Sequence, residues 1–344
     1  MRARISMIGA VLALAAAAAL VVSAAGSAKS EQGAFVAGVV SDVGRFNDRS
    51  FNQLALKGCR SGAKAAGGTC RALESRSTAD YIPNLVKLQR EGADISVTVG
   101  FLLADGTATI AKRFPKEKFA IVDYSMNDAP FANKKGKVLF NNVVGLTFET
   151  NENSYMIGCL AALMAQKKGK TISAVGGIPL PTVNIFIAAY RAGARKCVPG
   201  TRTLINFSQD FVDQAKCKEL ALDQINRGST VVFQVAGGCG LGALDAAKEE
   251  GVWGIGVDAD QAYLGPHILT SAVKRVDRAV ESVIAATDIG IYPQLGGTNL
   301  NFNLKNRGVA VGKISSKVPK AYITRMNAIG AQIIAGKLKP PKTL

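Results

Sequence analysis

From Ala34 onward, short apolar runs rich in Val and Ile alternate with longer amphipathic ones. AFVAGVV predicts a strand, SFNQLALKGCRSGAKAAG a helix, CRALES a strand and DYIPNLVKLQREG a helix. ISVTVG, LADGTATIAKRF and FAIVD continue the same order. This βαβ rhythm implies a parallel sheet covered by helices on both faces. It breaks in the Asn-rich stretch around Asn141 to Thr147 and then restarts. NENSYMIGCLAALMAQ predicts a helix capped at Asn151 or Asn153, while TISAVGG, INFS, VVFQVAG and GVWGIGVD predict strands separated by helical runs.

Two blocks of one type therefore follow each other, at residues 34–144 and 145–267. Past His267, ILTSAVK reads as a strand, VDRAVESVIAATDIG as a helix, and the remainder as mixed. Such a tail crosses back to complete both blocks, part of 268–300 with the first and part of 300–344 with the second. The expected fold class is α/β: two Rossmann-like lobes with parallel sheets, joined by a multi-crossover hinge. The ligand cleft lies between them, at the carboxyl ends of the strands.

The chain has 344 residues, long enough for two such lobes. Its first segment is set apart: Arg2 and Arg4 precede IGAVLALAAAAALVV and the small-residue stretch SAAGSAKS. That layout predicts a signal peptide over residues 1–28, and hence a periplasmic or extracellular protein. An uncleaved segment of this length would instead tether the chain to a membrane. Export permits disulfides among Cys59, Cys70, Cys159, Cys197, Cys217 and Cys239, and the expected pairs are Cys59 with Cys70 and Cys197 with Cys217. Net charge is +17, falling to +15 without Arg2 and Arg4. The cations are scattered and lack interleaved aromatics, which argues against nucleic acid and for a solvated basic surface with some attraction to anionic lipid headgroups.

Catalytic constellations are sparse. His267 is the one histidine, so a two-histidine metal site is excluded. There is no GxSxG elbow, and KGKT at Lys168 to Thr171 fails as a P-loop because Met164 stands where the first glycine is needed. The run GGCGLGALDAAKE from Gly237 is a glycine-rich turn entering a helix, with a spacing that departs from GxGxxG. No enzyme activity, cofactor or metal is expected.

Binding chemistry is richer. Along the predicted rim fall Asp42, Asn47, Asp48, Phe51, Asn52 and Gln53 in DVGRFNDRSFNQ, then Asp105, Phe211, Asp258 and Lys274. Carboxylates accept paired hydroxyls, aromatic faces stack on flat rings, and a lysine donates to a ligand oxygen or ring nitrogen. Such a set suits a sugar carrying a planar base.

Taken together and in order, DVGRFNDRSFNQ, ADYIPNL, VGFLLADG, FAIVD, GLTFETNENSYMIGCLAALM, AVGGIPLPTV, VVFQVAGGCGLG, GIGVDADQ and LTSAVKRVD resemble the basic membrane protein family of ABC-transporter substrate-binding proteins, the purine nucleoside receptor A-like group. The likeness runs from about Val40 to Val280. It implies a type I periplasmic-binding-protein fold that holds a purine nucleoside and delivers it as a monomer to an ABC permease and its ATPase subunit. By the same resemblance, Asp42 and Phe51 take a polar edge and one face of the base, Phe211 the other face, and Asp105 the base edge. Asp258 and Lys274 would hold ribose hydroxyls, Gly237 or Gly238 would let backbone approach, and Asn52 joins the ligand set. Asn47 and Asp48 are open between ligand contact and helix capping. Two departures stand out: Arg45 replaces a glycine usual after Gly44, adding charge and bulk beside the cleft, and no cysteine precedes Cys59 to carry a lipid. Another small ligand, a sensor role or a nucleoside-processing enzyme are the competing readings.

Overall fold

The computed structural model describes residues 34–344, and from Phe35 onward the chain forms one compact unit. The predicted signal segment lies outside the described residues. The first lobe contains β1 (Val36–Ser41), β2 (Thr69–Leu73), β3 (Ile95–Val99), β4 (Phe119–Val122), β5 (Val143–Phe148) and β11 (Asn299–Phe302). Their order is β11-β5-β4-β3-β1-β2, parallel throughout. The second lobe contains β6 (Thr171–Gly176), β7 (Arg202–Phe207), β8 (Val231–Val235), β9 (Trp253–Asp258), β10 (Ile268–Lys274) and β12 (Val309–Val311). Here the order is β12-β10-β9-β8-β6-β7, with only β12 antiparallel to its neighbour. Strands β3, β4 and β8 are buried along their whole length, as expected when helices cover both faces; they are mostly Val, Ile and Phe, with Ser96, Thr98 and Gln234 buried among them.

The first lobe carries α1 (Phe51–Ala65), α2 (Tyr81–Arg90) and α3 (Ala104–Arg113). The second carries α4 (Thr150–Ala165), α5 (Pro181–Cys197), α6 (Gln214–Asn226) and α7 (Gly240–Glu249). The chain passes between lobes three times among the described residues: at Glu149, at Arg275, and over 303–308 between β11 and β12. Strand β5 stays in the first sheet to Phe148, so the first passage lies beyond residue 144. The tail divides at Arg275: β10 pairs in the second sheet, whereas α8 (Val276–Asp288) packs on α1. After the short α9 (Tyr292–Leu295), α10 (Lys320–Ile334) packs on α4.

Helix α4 is buried on almost every side, because α5, α10 and the second sheet enclose it. Two glycines make that possible. A Cβ at Gly158 would lie 2.0 Å from the Tyr190 carbonyl oxygen, and one at Gly193 would lie 2.0 Å from that of Tyr155. The backbones of α4 and α5 thus touch directly. Beside this contact Cys159 is bonded to Cys197, and elsewhere Cys59 pairs with Cys70 and Cys217 with Cys239. The first expected disulfide is present, but the Cys197–Cys217 pair is not. Helix α5 packs on α4 and α6 on α7, so each sulfur meets the helix its own helix touches. All three bridges lie within a lobe.

Gly158→Ala and Gly193→Ala should each destabilise the protein by about 1–3 kcal/mol or more through overpacking, read from urea unfolding. Unchanged midpoints would mean the two helices part freely. A peptide map made without reductant should recover the three bridges above and no Cys197–Cys217 peptide.

Candidate functional site

The strands of both lobes point their carboxyl ends at one gap. Asp42 directly follows β1, Gly100 follows β3 and Asp123 follows β4, while Asp258 and Lys274 close β9 and β10. Together they line a cleft of about 70 Å3. Phe51, Asn52, Asp48 and Phe101 face it from the first lobe, and Phe186, Phe211 and Gly237 from the second.

The stretch from Asp42 to Gln53 builds one wall. The buried Asp48 carboxylate accepts from the backbone N–H of Ser50 at 2.9 Å, Asn52 at 2.8 Å and Gln53 at 3.0 Å, capping the start of α1. Asp42 accepts from the Gly44 N–H at 2.9 Å and from Asn52 Nδ2 at 3.2 Å. The same Nδ2 donates to Asp48 at 3.1 Å. The Asn52 amide nitrogen is therefore committed on both sides, which locks its orientation and leaves the buried Oδ1 as an unpaired acceptor. Arg45, at φ 56°, follows the cleft-lining Gly44 but is itself exposed and outside the lining, so its charge and bulk stand beside the cleft on the solvent side. That left-handed backbone is the conformation for which glycine is the natural occupant.

Lys274 anchors the opposite wall. Its Nζ donates to Asp123 at 2.5 Å, while the ring centroids of Phe51, Phe148 and Phe186 lie 4.6, 4.9 and 5.8 Å away. The ammonium thus exchanges water for one carboxylate and three aromatic faces. Asp123 belongs to the first lobe and Lys274 to the second, so the ion pair spans the cleft. A second bridge forms where the Ser50 hydroxyl lies 2.9 Å from Asp258 Oδ2 and 3.1 Å from the Val257 carbonyl. The lobes are closed on each other.

Of the sequence-predicted residues, the structure brings together Asp42, Phe51, Asn52, Phe211, Gly237, Asp258 and Lys274. Gly238 is buried at the edge of the cleft, where a Cβ would meet the Phe211 carbonyl at 3.3 Å and Asp48 Cβ at 3.7 Å. Asn47 is exposed and borders a separate outer hollow of about 580 Å3 with Arg49, Asp245, Lys248 and His267. That hollow is larger than the cleft, yet Arg49, Asp245 and Lys248 are exposed to water. Asp105 is also exposed, in the first turn of α3 and outside the cleft lining: β3 ends at Val99, so Gly100 and Phe101 occupy the rim instead. Sequence reasoning passed over Asp123, although FAIVD ends a strand just as the runs before Asp42 and Asp258 do. Phe186 gave no signal, since its helix reads as ordinary core.

Two sheets facing one charged cleft define a periplasmic-binding-protein-like architecture. The solved structure of an ABC transporter solute-binding protein from Aeropyrum pernix K1 has the same fold, with a TM-score of 0.79 at 22% identity, over 89% of this chain and 92% of that one. One from Conexibacter woesei gives 0.69 at 24% identity, over 90% and 99%. Residues 30–343 match the family model described as ABC transporter substrate-binding protein PnrA-like. The chain belongs to this family. It is 34% identical over 333 residues to the ABC transporter nucleoside-binding protein BmpA of Lactococcus lactis, covering 89% of this chain and 88% of that protein. It is 31% identical to a CD4+ T-cell-stimulating antigen of Listeria monocytogenes, over 90% and 88%. Among the described residues no helix is long and apolar enough to cross a membrane.

Burial pushes the Asp42 and Asp258 carboxyls up to about 6; hydrogen bonds to Asp42, and Lys274 and Ser50 beside Asp258, offset only part of that rise. A carboxyl raised in the folded state binds more protons there than in the unfolded chain between pH 4 and 6, so its stabilisation is full in acid and lost as pH rises through about 6. The ligand-free protein should accordingly melt higher near pH 5 than near pH 7. Asp42→Asn and Asp258→Asn should each flatten that profile; an unaltered slope in both would remove these groups as its source.

Proposed function

We propose that the cleft binds a purine nucleoside and that the protein delivers it to an ABC permease driven by a separate ATPase. The observation that carries this reading is the convergence, in one buried space, of Phe51 and Phe211 from opposite lobes with the unpaired Asn52 Oδ1 and the carboxylates of Asp42, Asp123 and Asp258. The rings supply stacking faces. Asn52 and Asp42 accept from the base edge, while Asp258, Asp123 and Lys274 take the ribose hydroxyls. The nucleoside-binding relative in Lactococcus lactis supports the same ligand class. The protein acts after export, as a monomer, and carries its ligand without turnover.

The cleft of about 70 Å3 is well below the roughly 300 Å3 at which small-molecule pockets begin. Entry therefore parts the lobes, breaking the Ser50–Asp258 and Lys274–Asp123 bridges, and the ligand must replace both when the hinge recloses. Only contacts stronger in the closed than in the open state shift that balance.

Native mass spectrometry after incubation with a mixture of nucleosides, free bases and simple sugars should show one added mass, that of a purine nucleoside. An added sugar, or appearance of free base, would overturn the reading. Phe51→Ala should weaken binding by about 1–3 kcal/mol through lost stacking, measured by calorimetry. Asp258→Ala should cost nucleosides far more than free bases, and equal losses would remove the ribose contact. Because hydroxyl donors favour the ionised carboxylate, affinity should fall as pH drops through about 6.

A further inference from the structure

The positive charge of this chain is unevenly distributed. From Asn153 to Gln209, and again from Ile289 to Leu344, every charged side chain is a cation. The fold stacks these two stretches on each other, because α4 and α5 come from the first and α10 from the second. In the first lobe, by contrast, cations and carboxylates are interspersed, as in the Lys87–Glu91 pair.

The cations converge at the pole of the second lobe farthest from the cleft. The Arg202 N–H donates to the Lys170 carbonyl at 2.9 Å where β6 and β7 begin, at the ends opposite to those that face the cleft. Lys167 and Lys168 immediately precede them. The Arg325 guanidinium donates to the Cys197 carbonyl at 2.9 Å, next to Lys196, and Tyr322 one turn earlier in α10 accepts from the Gln166 amide at 2.6 Å. These contacts bind the ends of α4, α5 and α10 into one basic surface. All six cations are exposed, and among the described residues none forms an ion pair. Capping the ends of α4 and α5 uses charge only within the last turn. Lys168, Lys170 and Arg202 lie outside both helices.

We propose that this pole docks on an anionic phospholipid surface through its lysines and arginines, independently of the ligand cleft. No large apolar side chain is exposed beside it, so contact with the headgroups is electrostatic and without insertion. Base stacking needs exposed aromatic faces, and Tyr322 is half-buried against α4, which favours a lipid surface over nucleic acid. Docking by this pole, opposite the strand ends that line the cleft, turns the cleft away from the bilayer, so the protein has to leave the lipid surface to present a solute to a permease.

The test is flotation of the full chain with vesicles of phosphatidylcholine alone or with about one third phosphatidylglycerol, at low and high salt. Binding should require phosphatidylglycerol and vanish at high salt. The triple variant Lys167→Glu/Lys168→Glu/Lys170→Glu should bind roughly a hundredfold more weakly or worse, with its melting temperature and its affinity for whichever solute the cleft takes unchanged. Equal binding to neutral vesicles, salt-resistant binding, or a triple variant that floats like the parent would overturn the proposal. So would a single-stranded RNA that binds the same lysines more tightly than the vesicles at matched salt. None of these outcomes touches the nucleoside reading, which the mass spectrum decides separately.

Discussion

Lys274 is the one cation among four carboxylates in the cleft lining, and much of the architecture follows from that imbalance. Burying an ion pair is worthwhile only where geometry and additional partners offset the lost hydration. Here Asp123 supplies the counter-charge, three phenylalanine rings supply the remaining faces, and the hinge brings the components together from two sheets. All three buried carboxyls keep part of their desolvation cost, but both oxygens of Asp48 accept from the start of α1, whereas Asp42 and Asp258 each leave one oxygen without a donor among the described residues. A ligand that donates to those two recovers it, so the strained part of the site is the part left for recognition.

The second constraint is rigidity within each lobe against freedom between them. Backbone contact at Gly158 and Gly193, together with three bridges confined to single lobes, stiffens the bodies. Between the lobes the structure relies on hydrogen bonds and one ion pair, which water and ligand can replace. Closure can therefore be reversible without disturbing either core.

The alternation of apolar strands and amphipathic helices made both sheets legible in sequence, because parallel strands covered on two faces must be continuous hydrophobic runs. Site residues were legible where a polar side chain directly follows such a run, as Asp42 and Asp258 do. Asp105 misled because LADG was taken as rim, when Leu103 already belongs to a helical turn and the rim had passed at Gly100. Asn47 misled because neighbours in a turn face opposite ways: Asp48 points inward and Asn47 to solvent. Cys197 and Cys217 are close in sequence, but pairing follows which helices touch, and periodicity does not reveal that. The role of Phe186 was likewise hidden, since a helix face toward a cleft and one toward a core carry the same residue types.

The three passages of the chain between lobes have a consequence for inheritance. Neither lobe is encoded by a continuous stretch: the first needs β11 and α8 from late in the chain, and the second needs α10 from the end. A single recombination point would exchange parts of both cores at once, leaving mismatched sheets. The two ligand-facing walls therefore come from interleaved stretches of chain, and no single crossover exchanges one without cutting into the other.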